Sequence, residues 1–350
     1  MAAMSGGVDS SVAAALLVEQ GYEVIGVTLR LLPEKTDGDR ALAAIGDARA
    51  VAEKLDIPHS VIDYQKDFQD LVIAPFIREY MLGRTPNPCV QCNRSIKFGR
   101  LLERAARLGI EYVATGHYAR ILREGGGVRL FRGKDSDKDQ SYALYALDQQ
   151  ALKRILFPLG DYCKTEIRGL AKKYGLKIAD KPDSQEICFI PDKSYKDFLK
   201  ASAGLRETPG KIVDLKGNVL GSHTGIYNYT IGQRKGLGLA TGEPLYVVDI
   251  NRENNTVVVG SNTEVFSREF TVSDFNWIAG APPGANFKAK VMIRYNAPLH
   301  PALITVKEDG QVLINFARAQ RAVTPGQSAV VYQGDEVLGG GIISWRILGN

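Results

Sequence analysis

The sequence predicts an α/β first half built on a parallel sheet, followed by a mostly β remainder. Three observations carry that reading. Up to about Phe198, strand-like apolar runs alternate with helix-like periodic segments, the pattern of a parallel sheet wrapped by helices. A glycine-rich string, Ser5-Gly6-Gly7-Val8-Asp9-Ser10-Ser11, stands between a short apolar opening and a helix. After roughly Gly204 the text changes to short strands separated by turn dipeptides.

Taken in order, residues 10–20 read as a helix, with Val12, Leu16 and Leu17 on one stripe and Gly21 as its stop. Residues 24–29 read as a strand, 47–55 as a helix and 61–64 as a strand. Residues 96–108 read as a helix, 112–115 as a strand, and 165–174 as a helix that Gly175 closes. Beyond 204, Gly217-Asn218, Asn254-Asn255 and Asp309-Gly310 each separate apolar runs as hairpin turns. Residues 287–295 set Phe287, Ala289, Val291, Ile293 and Tyr295 against Lys288, Lys290, Met292 and Arg294, one face buried and one mostly basic. Boundaries near 204 and 265 divide the chain into 1–204, 205–265 and 266–350, with no internal repeat.

Composition bounds the function. A chain of 350 residues with 45% hydrophobic and 24% charged residues is an ordinary globular one, which excludes disordered, collagen-like and coiled-coil classes. There is no apolar run long enough for a membrane span and no signal-peptide pattern, so a cytoplasmic protein with no membrane partner is expected. Lys+Arg 44 against Asp+Glu 39 leaves +5, which suits a polyanionic partner only if the charge is clustered. Four cysteines are too few for a disulfide scaffold, so each is free, metal-binding or catalytic.

Chemistry starts at the glycine-rich string. Gly6 and Gly7 let backbone amides approach an anion, and a helix N-terminus adds unsatisfied N–H groups and a positive dipole end. The lysine of an ordinary P-loop is missing. The bland alternative is that Asp9 or Ser10 only caps a helix.

Cys89 and Cys92 form a CxxC in Thr85-Pro86-Asn87-Pro88-Cys89-Val90-Gln91-Cys92-Asn93. Prolines extend the loop, and the helix just downstream, which contains Lys97, is expected to lower a thiol pKa. Half of a zinc site is the alternative, but no second CxxC supplies the remaining ligands and no metal is expected. Cys188, between Ile187 and Phe189, reads on its own as an inert core residue, and Cys163 likewise.

Together these strings resemble the tRNA-specific 2-thiouridylase family of the ATP pyrophosphatase superfamily, over nearly the whole chain. They are Ala3-Met4-Ser5-Gly6-Gly7-Val8-Asp9-Ser10, Gly83-Arg84-Thr85-Pro86-Asn87-Pro88, Ala114-Thr115-Gly116-His117-Tyr118, Lys138-Asp139-Gln140-Ser141-Tyr142, Ile187-Cys188-Phe189, Gly232-Gln233-Arg234-Lys235-Gly236-Leu237-Gly238 and Thr324-Pro325-Gly326-Gln327-Ser328-Ala329. The resemblance implies an adenine nucleotide alpha hydrolase-like domain with a pyrophosphate loop, a small β-rich central domain and a C-terminal β-barrel. It implies that ATP with Mg²⁺ adenylates the C2 oxygen of the wobble uridine, position 34, and that persulfide sulfur replaces that oxygen. Cys188 resembles the persulfide carrier and Cys92 the nucleophile that ends as its disulfide partner. Ala3 to Ser10, Leu29 and Gly116 resemble ATP contacts. Asn87, Pro88 and Cys89 resemble the part touching the target base, and Lys138, Asp139, Gln140, Arg294, Tyr295, His117 and Gln327 resemble tRNA contacts. Implied partners are tRNAs for Lys, Glu and Gln and a persulfide donor, such as a cysteine desulfurase or a sulfur-relay protein.

Read as residues alone, Arg294 is equally a solvated charge, His117 a structural histidine and residues 232–236 a solvated turn. An exposed tyrosine beside Arg294 favours RNA, because stacking on a splayed base is the usual device.

Three departures from the family stand out. Only Met1 to Met4 precede Ser5, so residues upstream or a locally weak sheet are expected. Cys89 stands where some relatives carry an aspartate, which leaves proton transfer unassigned, and Asp37-Gly38-Asp39-Arg40 stands where many carry a paired cysteine. One alternative keeps the substrate but makes Cys89, Cys92 and Cys188 ligands of an iron–sulfur cluster. Another is a tRNA-binding protein with a degenerate ATP site. Argininosuccinate or asparagine synthesis needs neither Cys92 nor Cys188.

Overall fold

The computed structural model describes residues 1–182, 187–190, 194–203, 207–240 and 242–347. The first region opens with β1 (Ala2–Ala3), α1 (Val8–Glu19), β2 (Gly26–Arg30), α2 (Glu34–Lys54) and β3 (His59–Asp63). A helical stretch follows, α3 (Gln65–Phe68), a π turn (Gln69–Ile73) and α4 (Ala74–Met81). Residues 88–107 then form one continuous helix made of α5 (Pro88–Cys92), a π segment (Asn93–Arg100) and α6 (Leu101–Arg107). Next come β4 (Val113–Ala114), a hairpin of β5 (Ala119–Glu124) and β6 (Gly127–Arg132), α7 (Gln149–Lys153), β7 (Ile155–Leu156), α8 (Lys164–Lys173) and α9 (Tyr195–Ala203).

The parallel sheet runs β3-β2-β1-β4-β7. β1 is short, yet its ladder extends from the Met1 carbonyl, which accepts from Ala114 N–H, to the Met4 N–H, which donates to Val27 O. α1 is buried on more than the expected stripe, Ala13, Ala14 and Ala15 included, because α8 covers the side away from the sheet. α2 begins well before the expected residue 47, and the side chains of 34–40, which include the Asp37–Arg40 string, lie outside the described residues. So do Asp183–Glu186 just before Cys188, and residues 204–206, where the first boundary is expected.

The central region is a four-stranded sheet, ordered β10 (Tyr246–Asn251), β11 (Thr256–Gly260), β8 (Gly210–Val213), β9 (Val219–His223). The last region is a closed six-stranded barrel of β12 (Phe266–Trp277), β13 (Asn286–Met292), β14 (His300–Val306), β15 (Val312–Arg321), β16 (Ser328–Gln333) and β17 (Glu336–Ile347). Pairing of β12 with β17 closes it around Phe270, Val291, Ile304, Ile314, Phe316 and Val331. All three expected hairpin turns are present, with left-handed Gly217 (φ 86), Asn255 (φ 48) and Gly310 (φ 80).

Two features differ from the sequence reading. β13 stops at Met292, and Val291, Met292 and Ile293 are buried in succession, so the alternation ends where the strand meets the first region. The β5–β6 hairpin, unforeseen, pairs with β17 through Phe131–Glu336 and Leu130–Val337. It thereby joins the first region to the barrel sheet, and Leu130, Tyr142, Val330, Tyr332 and Val337 share one core.

Candidate active site

The glycine-rich string is a loop between β1 and α1. Gly6 is left-handed (φ 69), and a Cβ there would stand 2.3 Å from the Ala44 carbonyl oxygen, so only glycine fits. Ser10 Oγ accepts from Ser5 N–H (3.0 Å) and donates to Gly7 O (3.2 Å), while Ser11 Oγ donates to Gly7 O (2.8 Å). These bonds hold the loop in shape while the N-terminus of α1 remains aimed across it. Gly116 packs against the same turn, its would-be Cβ 2.7 Å from Ser10 N. Leu29 on β2 is half-buried between two core clusters.

Two lysines far away in sequence reach this loop, and sequence reading missed both. Lys164, buried at the start of α8, donates to Asp9 Oδ1 at 2.7 Å, and Tyr118 Oη donates to the same oxygen at 2.7 Å. Lys181 donates to Gly6 O (3.0 Å) and pairs with Asp47 (2.6 Å). Both bring positive charge to the loop, each beside a carboxylate, Asp9 or Asp47.

The CxxC opens the 88–107 helix. Asn87 is its N-cap, its side chain accepting from Cys89 N–H at 3.0 Å, and Pro88 takes the first helical position. Cys89 is exposed and Cys92 is buried beside Phe68, Val72 and Ile96. The preceding loop is clamped by the barrel. Thr85 N–H donates to Pro325 O (3.0 Å), and Gln327 Nε2 donates to Thr85 O (2.7 Å).

Cys188 joins this site from 96 positions away in sequence. Its neighbours Phe189 and Ile190 lie in the same buried cluster as Cys92. All four cysteines are free, and Cys163 flanks α8, its backbone N–H donating to Glu166.

The thiols are not the low-pKa groups that helix-end placement suggests. Burial raises Cys92, and crowding by the surrounding chain raises Cys89 although one side of it is open to solvent, both opposed by the Lys97 cation. Cys188 lies on the open side of its turn, yet the surrounding chain crowds it, and that desolvation pushes its pKa up to about 12, with Cys92 and Cys89 adding to the rise. Among the described residues no three His, Cys, Asp or Glu side chains converge as a metal-ligand group, so Cys89, Cys92 and Cys188 as placed do not fit a cluster.

The residues expected at tRNA divide in two. Arg294 and Tyr295 are exposed in the turn after β13, and Tyr295 feels the charges of Cys89, Asp139 and Lys138. The barrel thus brings an open aromatic ring to the CxxC turn. Lys288 and Lys290 are exposed on β13. His117 and Asp139, in contrast, are inside. His117 Nδ1 pairs with Thr115 Oγ1 at 2.7 Å among Phe98 and Phe157, and burial holds its pKa well below the ordinary value. Asp139 accepts from Arg132 Nε (2.9 Å), Gly133 N–H, Ser141 N–H and Ser141 Oγ. Gln140 Oε1 accepts from Tyr118 N–H (3.0 Å). Asp139 and His117 are thus buried in the site's frame, while Gln140 and Gln327 are half-buried and bond to its backbone.

A glycine-rich loop at a parallel-sheet switch, a CxxC at the start of a helix and a β-barrel clamped onto the loop before it define an ATP pyrophosphatase-type HUP domain carrying two accessory β modules. Family models agree by region: "tRNA methyl transferase HUP domain" matches residues 1–192, "tRNA methyl transferase PRC-barrel domain" 196–261 and "Aminomethyltransferase beta-barrel domain" 267–343. The chain belongs to the tRNA-specific 2-thiouridylase family. Relatives so named include MnmA of Carboxydothermus hydrogenoformans, 51% identical over 99% of this chain and 98% of that protein. MnmA 1 of Caldanaerobacter subterraneus is 52% identical over 98% and 97%. Among solved structures, the U34-tRNA thiolase NcsA from Methanococcus maripaludis with its [4Fe-4S] cluster aligns with 53% of this chain and 59% of its own, at TM-score 0.33 and 18% identity.

Proposed function

We propose that this chain is an ATP-dependent tRNA sulfurtransferase that converts the wobble uridine to 2-thiouridine. The observation that carries the reading is the meeting of Cys92 with the Cys188 segment in one buried cluster. In support, Gly116 packs on the loop, and the next residue, His117, faces Phe98 six residues after Cys92.

ATP with Mg²⁺ binds at residues 3–10, and the uridine C2 oxygen attacks its α-phosphate, releasing pyrophosphate. The adenylate is needed because a uridine carbonyl is a poor electrophile, whereas AMP is a good leaving group. The Cys92 thiolate attacks the inner sulfur of the Cys188 persulfide. The Cys92–Cys188 bond forms, the S–S bond of the persulfide breaks, and hydrosulfide leaves with the electron pair. Hydrosulfide adds at C2 and expels AMP, its proton passing to solvent, and the C=S product remains. A thiol reductant restores both cysteines, and a cysteine desulfurase or sulfur-relay protein reloads Cys188. These needs suit the reducing cytoplasm. tRNAs for Lys, Glu and Gln are the expected substrates, docked over Lys288, Lys290, Arg294 and Tyr295. A cradle with both lysines in place argues against a degenerate ATP site.

Nucleoside mass spectrometry after incubation with ATP, a persulfide source and anticodon stem-loops tests the reading. Cys92→Ser and Cys188→Ser should each abolish 2-thiouridine while tRNA affinity stays within about threefold, since neither thiol neutralises phosphate. In a single turnover without added thiol reductant, thiolation above about one tenth of wild type in either variant contradicts the relay, because the enzyme then lacks the second thiol that releases persulfide sulfur.

A further inference from the structure

The helix that carries the CxxC changes pitch directly after Cys92. In an α-helix a residue five positions on lies about 140° round the axis, whereas a π turn, closed from i to i+5, brings it much nearer the face of residue i. Residues 93–100 are π-helical with Cys92 as their N-cap, so Lys97 is turned toward the face that bears Cys92. Gly99 permits the wide turn, since a Cβ there would press within 2.9 Å of the Arg94 carbonyl oxygen, itself five residues earlier.

The charge environment singles out the same lysine. Lys97 acts on Cys89 and Cys92 from its own helix, on Cys188 from the 187–190 segment and on His117 from the loop after β4. Beyond Cys89 stands Tyr295, with Lys138 and Asp139 bearing on it. His117 is buried in a neutral state, so it offers no second cation. Lys97 is half-buried, and among the described residues no hydrogen bond or ion pair holds its ammonium group. A half-buried ammonium without an ion-pair partner is open to an incoming anion.

We propose that Lys97 is the cation that steadies anionic sulfur at the Cys89–Cys92 turn, a positioning residue for sulfur transfer. The inference rests on the sulfurtransferase reading and adds to it. In that reaction negative charge starts on Cys92, crosses the persulfide and leaves on hydrosulfide. A positive charge that acts on all three sulfurs favours each stage.

The test separates charge from shape. Cys188 is exposed, and its alkylation by iodoacetate, an anion, is compared with that by neutral iodoacetamide at one pH, without tRNA or ATP. In Lys97→Met the iodoacetate-to-iodoacetamide rate ratio should fall about fivefold, the effect of losing one nearby unit charge, and Lys97→Arg should keep it within about twofold. Single-turnover thiolation should fall about tenfold or more in Lys97→Met and recover in Lys97→Arg, with tRNA affinity unchanged. Lys97→Gln serves as the charge-free variant if the methionine variant melts early. A ratio equal to wild type in the charge-free variant overturns the proposal, as does an arginine variant that behaves like methionine. Wild-type protein that makes no 2-thiouridine overturns the sulfurtransferase reading, and the alkylation ratio then judges the Lys97 charge by itself.

Discussion

His117 illustrates what a residue's neighbourhood decides and its sequence context does not. A histidine after a strand in Thr-Gly-His-Tyr reads equally as a binding group or as structure. Its bond to Thr115 and its place between Phe98 and Phe157 make it structural, with the imidazole kept neutral by burial. The consequence is a pH dependence of stability. The unfolded chain takes up a proton on this histidine near pH 6.5 and the folded chain does not, so stability is full above that pH and declines as pH falls toward the depressed folded value. The decline approaches about 1.4 kcal/mol per pH unit for one such group. His117→Gln should be less stable than wild type at pH 7.5, since Thr115 loses its partner, yet lose less on going to pH 5.5. Thermal melts at the two pH values check this. His59 and His223, also depressed by burial, leave a residual slope in the variant. Asp139 was opaque to sequence reading for the same reason: four donors meet it only after β6 and the 133–141 loop have folded.

At the scale of elements, local signals were legible wherever local sterics decide the conformation. The Ser5–Ser11 loop, α1 and the turns at Gly217, Asn255 and Gly310 depend on glycine, asparagine and short-range periodicity, and they stand where those residues place them. The π segment and the β5–β6 hairpin were not legible. The first owes its pitch to packing on both sides of residues 93–100, and the second finds its outer partner, β17, about two hundred residues away. The loop also yields a sharp prediction. Gly6→Ala meets both a left-handed φ of 69 and the Ala44 carbonyl at 2.3 Å, so the loop must deform rather than the neighbour yield. Strain of about 1–3 kcal/mol and misaimed amides should result. tRNA-dependent pyrophosphate release should drop about a hundredfold, since two or more phosphate-directed hydrogen bonds are lost, while the melting temperature moves by only a few degrees. Pyrophosphate release near the wild-type rate would show that the loop does not carry the nucleotide.

Across the whole molecule, the barrel is part of the catalytic unit rather than an appended reader of tRNA. The Thr85 loop is held by Pro325 and Gln327, Tyr142 Oη donates to Ser328 O at 2.8 Å, and Asn276 Nδ2 donates to Tyr145 O and Leu147 O. Val330, Tyr332 and Val337 of the barrel are fully buried in the same core as Leu130, Tyr142 and Leu144. A change of sequence pattern near residue 204 does not report which surfaces a core spans. A fragment of residues 1–204 should therefore not behave as an independent domain. It would expose the β6 edge that β17 covers, together with the apolar side chains that meet Val330 and Tyr332. Burying such side chains contributes about 1.5–3 kcal/mol each, a loss comparable in sum to the whole stability of a domain. The fragment should bind a hydrophobic dye, melt without a cooperative transition or precipitate, whereas the full chain should melt cooperatively. Adding the separately made 205–350 segment should restore order in part, because the missing face is then supplied in trans. A 1–204 fragment that folds cooperatively by itself, with a sharp thermal transition, would show that the barrel adds affinity for RNA and nothing to the catalytic framework.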